Sequence, residues 1–411
     1  MAFITGLRIK NFFSIKDEVT IDFKASPYNI ENNPDRLFEF NGEYYNKVIS
    51  LYGANASGKT TVLKAITTLS KIITNEQSDY FTTSFKNKFS DINNSSEIEL
   101  SFFSDISDKE EFCYKVTFKS NGYENIGIED EELYSITSVS KKLLFNRKEN
   151  QINNIDVNII ESLFTSSLSD KKSLLQEFFK FDKTKKLKHI FLYFSLIKNF
   201  SNINSFNTSL STSRSDEKNI ANFLNTTFPN VVFKKEYFEE FILRFFSSIG
   251  QDIVRVEANF KEEDGKKKKF LGIKVYHKIS HSEPLEFSLE SDGTQMLMKI
   301  LLNVFIAKLA RIPLVIDEFD SIIHPSIVPI IINLLIENDI QIIYSTHNIY
   351  NMQFLQNDEI FLIEKDLSHV TTIKPIKDNK DIKGYENLLT HYENGSLGGI
   401  PKIEDLITKI L

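Results

Sequence analysis

At 411 residues the chain exceeds what one hydrophobic core usually holds, so two or more subdomains are expected. Its formal charge of −7, from 49 basic and 56 acidic residues, leaves no whole-chain footprint for nucleic acid, so DNA binding is not indicated by net charge. The single cysteine, Cys113, excludes an intramolecular disulfide framework and a Cys-rich zinc site.

Met1 to Lys10 alternates like an edge strand, and Val19-Thr20-Ile21-Asp22-Phe23 follows as a second strand of period two. The chain opens on no charged, apolar and small-residue leader and shows no 18-residue apolar span, so a soluble cytoplasmic protein without a membrane segment is expected. Lys47 to Tyr52 reads as a short buried strand. It runs into Gly53-Ala54-Asn55-Ala56-Ser57-Gly58-Lys59-Thr60, which fits G-x-x-x-x-G-K-[ST]. Thr60 to Ile66 reads as the first turns of a helix, amphipathic over residues 62–76. A glycine-rich turn between strand and helix aims backbone N–H groups and a helix N-terminus at one point, which makes an anion site. Lys59 is expected to reach the β- and γ-phosphates of a nucleotide and the Thr60 hydroxyl to bind Mg²⁺, with Thr61 beside them.

Glu97 to Phe103, Phe112 to Lys119 and Lys142 to Arg147 look like antiparallel strands separated by Asn/Gly/Asp turns. Ile155 to about Ile249 is mostly helical in pattern, interrupted at 199–218 by a Ser/Asn/Thr-rich stretch expected to be a mobile loop. Phenylalanines cluster at Phe178-Phe179-Lys180-Phe181 and Phe241 to Phe246, which suits either a helical core or an apolar partner face. Strands resume at Val254 to Phe260 and Phe270 to Lys278. Between them lies Glu262-Glu263-Asp264-Gly265 followed by Lys266 to Lys269, a solvated hairpin tip or a phosphate-contacting one.

Ser291 and Gly293 stand just before the apolar-periodic stretch Met296 to Ala310. There they are either an ordinary helix cap or a second anion-binding turn. Ile312-Pro313-Leu314-Val315-Ile316 is an apolar run ending in Asp317-Glu318, a buried strand delivering two carboxylates at its C-terminal edge. Asp317 is suited to hold Mg²⁺ through water, and Glu318 to orient and polarise the water that attacks a γ-phosphate. A crossover helix, Pro325 to Glu337, leads to the strand Ile340 to Tyr344 and then to Ser345-Thr346-His347.

Taken together, the P-loop, Ser291-Asp292-Gly293, Asp317-Glu318-Phe319-Asp320 and Ser345-Thr346-His347 resemble the ABC/SMC-type ATPase head. In finer wording the chain resembles the OLD-like AAA ATPases of bacterial abortive-infection and restriction-linked operons. Matching stretches are Ile9-Lys10-Asn11-Phe12-Phe13-Ser14, Glu290 to Gln295, Ser321 with His324-Pro325, Phe361 to Asp366 and Tyr392 to Pro401. The likeness spans residues 1–150 and 265–411. It departs at Phe13, where many members carry arginine, and no Q-loop glutamine is evident. The fold expected is α/β: a P-loop NTPase with an ABC/SMC-type head of mixed sheet flanked by helices, an antiparallel β subdomain and a helical insertion. The head is expected over 1–75 and 265–411, the β-rich part over 76–150, and the insertion over 151–264.

The resemblance implies ATP and Mg²⁺ as cofactors, and two heads facing each other as a homodimer or an assembly of dimers. Ser291 and Gly293 of one subunit would close on the γ-phosphate held by Lys59 of the other. His347 would sense that phosphate and Asp320 would lie on the dimer seam. OLD nucleases carry a Toprim domain after the ATPase, but residues 348–411 are too few for one. No arginine has a histidine at the fifth place after it, so the R-x-x-x-x-H motif of HEPN RNases is missing too. The expected role is an ATPase sensor or scaffold controlling a separate nuclease or toxin effector in anti-phage defence, answering a phage-derived trigger. The alternatives are an SMC-like ATPase that clamps DNA directly, and an ATP-binding structural oligomer with little turnover.

Overall fold

The computed structural model describes residues 2–74, 85–104, 110–122, 124–149, 151–156, 158–159, 169–200, 235–263, 267–279, 283–286, 289–321, 323–366, 368, 370–378, 388–394 and 397. The chain opens on strands β1 (Phe3–Lys10) and β2 (Val19–Asp22), a short helix α1 (Pro27–Asn32) and the hairpin β3 (Leu37–Phe40) and β4 (Glu43–Asn46). Strand β5 (Val48–Tyr52) leads into helix α2 (Lys59–Thr74). Next come β6 (Ser96–Phe103), β7 (Glu111–Asn121), β8 (Glu124–Ile136), β9 (Lys141–Lys148) and β10 (Gln151–Ile155). Helices α3 (Leu174–Phe178), α4 (Lys186–Phe200) and α5 (Lys235–Ser248) precede the hairpin β11 (Ile253–Glu263) and β12 (Lys267–His277). After β13 (Leu285–Glu286) come α6 (Asp292–Ala310), β14 (Leu314–Ile316), α7 (Val328–Glu337) and β15 (Ile342–Ser345). The order closes with β16 (Ile360–Lys365), β17 (Thr371–Pro375) and α8 (Leu388–Glu393).

Two sheets organise these elements. The first is antiparallel, in the order β10-β9-β8-β7-β6-β1-β2. Strand β1 lies between β6 and β2 and is bonded along both sides, so the edge-strand reading of Met1 to Lys10 is corrected. Its alternation arises because one face of the sheet enters the core, not because an edge is free. Strands β8 and β10 are additions to what the pattern predicted. The first strands of the chain share this sheet with those at 96–155, not with the P-loop strand.

The second sheet runs β14-β15-β5-β16-β17, with β14, β15, β5 and β16 parallel and β17 antiparallel on the far side. Every residue of β5 and β14 is buried, as continuous apolar runs covered on both faces should be. Helix α2 touches β1 and β6 of the first sheet, β15 of the second, and α4. It therefore buries apolar side chains on most of its circumference: Val62, Leu63, Ala65, Ile66, Leu69, Ile72 and Ile73.

The insertion packs with the same core. Phe178 and Phe238 are fully buried, and Phe179 stacks on Phe191 at 4.1 Å between centroids. Phe241 sits 5.4 Å from Phe305 of α6. The phenylalanine clusters are thus used as core. The loop expected at 199–218 falls, beyond its first residues, outside the described residues, as does the hairpin tip at 264–266. Helix α6 corrects the expectation that no apolar span exists: by length and composition it could cross a membrane. Its side chains from Thr294 to Ala307 are buried within the fold, so this apolarity belongs to a core helix.

Candidate nucleotide-binding site

The parallel strands β5, β14 and β15 end on one side of the second sheet, the side where open α/β sheets bind ligands. From there the loop after Tyr52 turns back into α2. Gly53 has φ 156°, and a Cβ there would stand 2.2 Å from the Ile363 carbonyl oxygen. Gly58 has φ 117°, and a Cβ would meet the Thr371 and Ser14 hydroxyls at 2.7 and 2.8 Å. Both positions therefore require glycine, and together they hold the loop between β16 and the Ser14 turn. Thr371 Oγ1 fixes the loop from outside by donating to the Ser57 carbonyl at 2.8 Å.

Lys59 begins α2, and its ammonium folds back to donate to the carbonyls of Gly53 at 2.8 Å and Ala54 at 3.0 Å. It stands 3.4 Å from His347 Nδ1. Desolvation lowers the Lys59 pKa, opposed by the charges of Asp317 and Glu318. The His347 pKa is also lowered, first by desolvation and then by Lys59, so the ring is neutral at pH 7. Ser345, at the end of β15, joins the two carboxylate positions. Its hydroxyl donates to Asp317 Oδ1 and accepts from the Glu318 N–H at 2.8 Å. Glu318 has φ 50°, uncommon for a non-glycine residue, and its side chain is exposed at the mouth of the cleft.

These residues line one cleft of about 780 Å³. Asn55, Ala56, Ser57, Gly58, Lys59, Thr60 and Thr61 form one wall, with Asp317, Glu318 and His347 opposite. Gly53 sits beneath, buried. Ser57 Oγ is buried without a hydrogen-bond partner, an atom that a phosphate oxygen would satisfy. The Thr61 hydroxyl is already engaged with Ser14 Oγ at 3.0 Å, whereas Thr60 opens toward the cleft. Among the described residues no group of three or more His, Cys, Asp or Glu side chains comes together to hold a metal ion. A cation here would rest on Thr60, Asp317, water and the phosphates themselves, the pattern Mg²⁺ favours.

Three further expected site residues lie outside the cleft lining. Asp320, expected at a dimer seam, turns its carboxylate into its own protomer. It is buried, accepting from Thr346 Oγ1 at 2.6 Å and Asn351 Nδ2 at 2.7 Å, and so fixes the segment that carries His347. Burial raises its pKa despite these donors. Ser291 and Gly293 are not among the residues lining the cleft of their own protomer. Ser291 caps α6 by accepting from the Thr294 N–H at 3.2 Å, and a Cβ on Gly293 would meet nothing within 4 Å.

The remaining wall of the cleft was not foreseen as a unit. Phe13, Ser14, Lys64, Lys86, Asn87, Lys88, Phe89 and Lys365 line it. Phe13 (φ 47°) is held by its N–H on the Phe85 carbonyl at 2.6 Å and by Asn87 Nδ2 on its own carbonyl at 2.6 Å. The Lys64 ammonium lies 5.4 Å from its ring centre. Of this group Phe13, Ser14, Lys64 and Lys365 lay in stretches the sequence marked out, whereas residues 86–89 did not.

Comparison with known proteins agrees with this geometry. No curated protein matches the chain. Among solved structures, the head in "Crystal structure of the SmcHead bound to the C-winged helix domain of ScpA" superposes with a TM-score of 0.52 at 14% identity, covering 90% of this chain and 97% of that one. The SMC head domain from Thermotoga maritima gives 0.40 at 18%, covering 90% and 98%. The Smc head of Pyrococcus furiosus, bound to the C-terminal domain of ScpA, gives 0.46 at 11%, covering 91% and 96%. The fold is that of a P-loop ATPase head. Residues 48–352 match the model of the family described as "AAA domain, putative AbiEii toxin, Type IV TA system", and the chain belongs to that AAA family.

Proposed function

We propose that the protein is a cytoplasmic ATPase head that closes on a second copy of itself around ATP and controls a separate effector in bacterial anti-phage defence. One observation carries the reading: Lys59, Thr60, Asp317, Glu318 and His347 meet in a single cleft, beside a buried Ser57 hydroxyl that lacks a partner. Lys59 would exchange the Gly53 and Ala54 carbonyls for the β- and γ-phosphates. Thr60 and Asp317 would hold Mg²⁺, which when bound neutralises charge building on the phosphates. Glu318 would orient a water and take its proton as the oxygen bonds to the γ-phosphorus and the bond to the leaving ADP oxygen breaks. Neutral His347 would donate one N–H to the γ-phosphate. Ser291 and Gly293 of the second copy would complete the site. The family description names a toxin of a toxin–antitoxin system, which supports the defence setting. The SMC head that superposes at 0.52 is bound to a winged-helix domain of ScpA, which supports docking of a second protein.

The experiment contrasts two variants in nucleotide binding and turnover. Glu318→Gln should bind ATP like the wild type, turn it over at least ~10²-fold more slowly, and accumulate an ATP-closed dimer. Lys59→Ala should lose binding. Equal behaviour of the two in a binding assay would show that Glu318 does not orient the attacking water.

A further inference from the structure

His277, the last residue of β12, stands outside the nucleotide cleft and joins two separate parts of the chain. Its Nδ1 lies 2.8 Å from Asp252 Oδ1, just before β11, and its Nε2 lies 2.7 Å from Glu290 Oε1, just before Ser291. Each ring nitrogen thus faces a carboxylate, which accepts but does not donate. Both bonds are satisfied together only when both nitrogens carry protons, that is, in the imidazolium. Glu290 is nearly buried, with its side chain 6% exposed, while His277 is 22% exposed. The Glu290 carbonyl accepts from Gln295 Nε2 at 2.8 Å, so the turn from Glu290 to Gln295 is pinned at both ends.

The hairpin that carries His277 is not isolated from the insertion. Glu239 of α5 accepts from the Ala258 N–H of β11 at 2.7 Å, and Phe238 of α5 packs on Phe305 of α6 at 5.2 Å. The α5 helix therefore rests on both the hairpin and the body of α6, and His277 joins the hairpin to the head of α6. We propose that His277 is a positioning residue: it latches the Glu290–Gln295 turn in the geometry that closes on a second copy's nucleotide, and it passes shifts of the insertion to that turn. This rests on the shared-site reading above.

The charged groups facing the ring are Asp252 from the β11 side and Glu290 from the α6 side, with Lys278 next in the chain acting on Asp252. Hydrogen bonds to Glu290 and then Asp252 raise the His277 pKa, with burial opposing. The doubly bonded latch is complete below the ordinary imidazole value of about 6.5 and is lost as pH rises through the raised value.

The test measures ATP-driven dimerisation by sedimentation in the Glu318→Gln background from pH 6 to 9, alongside fluorescent ATP binding. With His277 intact, dimerisation should weaken toward alkaline pH. His277→Ala should weaken it about tenfold at pH 6, as expected for lost hydrogen bonds to charged groups, with ATP binding unchanged. His277→Lys, which keeps a charge between the carboxylates at every pH used, should restore dimerisation and flatten the profile. If His277→Ala fails to fold, His277→Gln, which retains one donor, takes its place with a smaller loss. Dimerisation by the alanine variant matching the unsubstituted latch at every pH, with ATP bound, would overturn the latch alone. ATP binding without any dimer even with His277 intact would overturn the shared site, and the latch with it.

Discussion

On the P-loop side of the cleft each working group is held by the chain itself: Lys59 by two loop carbonyls, Asp317 and the Glu318 backbone by Ser345, and the His347 segment by Asp320. Around Ser291 the arrangement is reversed. Among the described residues the Ser291 hydroxyl serves its own helix alone, Gly293 faces open space, and Leu289 nearby is 67% exposed. The first region is preorganised and able to bind without help, because its donors and acceptors are already fixed where phosphates and water would sit. The second has a formed shape but no ligand of its own within the protomer. On the shared-site reading proposed above, a site divided in this way would make binding a property of one chain and turnover a property of two.

The sharpest way to break that division is complementation between two dead variants. Lys59→Ala removes the P-loop wall and Ser291→Arg blocks the outward turn, so each alone should be inactive. Mixed in equal amounts, they should form dimers with one intact site and regain a substantial part of wild-type turnover. Activity that stays at zero in the mixture, while dimers form, would show that both walls act within one chain.

A smaller effect is expected from Ser345→Ala, which tests how far the P-loop wall depends on internal hydrogen bonds. The substitution removes the Ser345 hydroxyl from Asp317 Oδ1 and from the Glu318 N–H, two part-buried hydrogen bonds worth about 1 kcal/mol each. Glu318, held at φ 50°, would be freer to drift from the attacking water. Thermal unfolding should shift down and turnover fall by about tenfold, while ATP affinity stays near wild type. An unchanged melting temperature together with unchanged turnover would mean that Ser345 is a bystander.

What the sequence showed, and what it hid, follows the same physical line. Val48–Tyr52 and Leu314–Ile316 were legible because strands buried on both faces are apolar runs, and each ends in a motif whose chemistry is local. Strand β8 was not legible, because Glu129-Asp130-Glu131-Glu132 masks its alternation. Glu131 is fully buried only because Arg147 pairs with it at 2.6 Å and the Leu174 N–H donates to it at 2.7 Å, and no short window contains those partners. The setting of Asp320 was hidden for a like reason: Thr346 and Asn351, which turn it inward, come from the far side of β15. The remaining wall of the cleft combines residues 13–14, 64, 86–89 and 365, which come together from separate parts of the chain.

That wall supports the smallest prediction, which sharpens the comparison by dividing the cleft lining itself. The P-loop contributes Lys59, Thr60 and backbone amides to the cleft, whereas Phe13 and Phe89, 38% and 59% exposed, supply aromatic lining, with Lys64 beside the Phe13 ring. Triphosphate and base should therefore be bound by separable sets of residues. The Asn87 side chain beside these rings is already used on both its atoms, by the Phe13 carbonyl and the Phe89 N–H. Phe13→Ala removes an aromatic surface worth about 1 kcal/mol, so ATP affinity should fall about fivefold while affinity for inorganic tripolyphosphate does not change. Phe13→Tyr should keep the ring and the affinity. Equal weakening of both ligands by Phe13→Ala would show that the residue acts through the P-loop, via the Ser14 contact to Thr61, and that no separate base end exists.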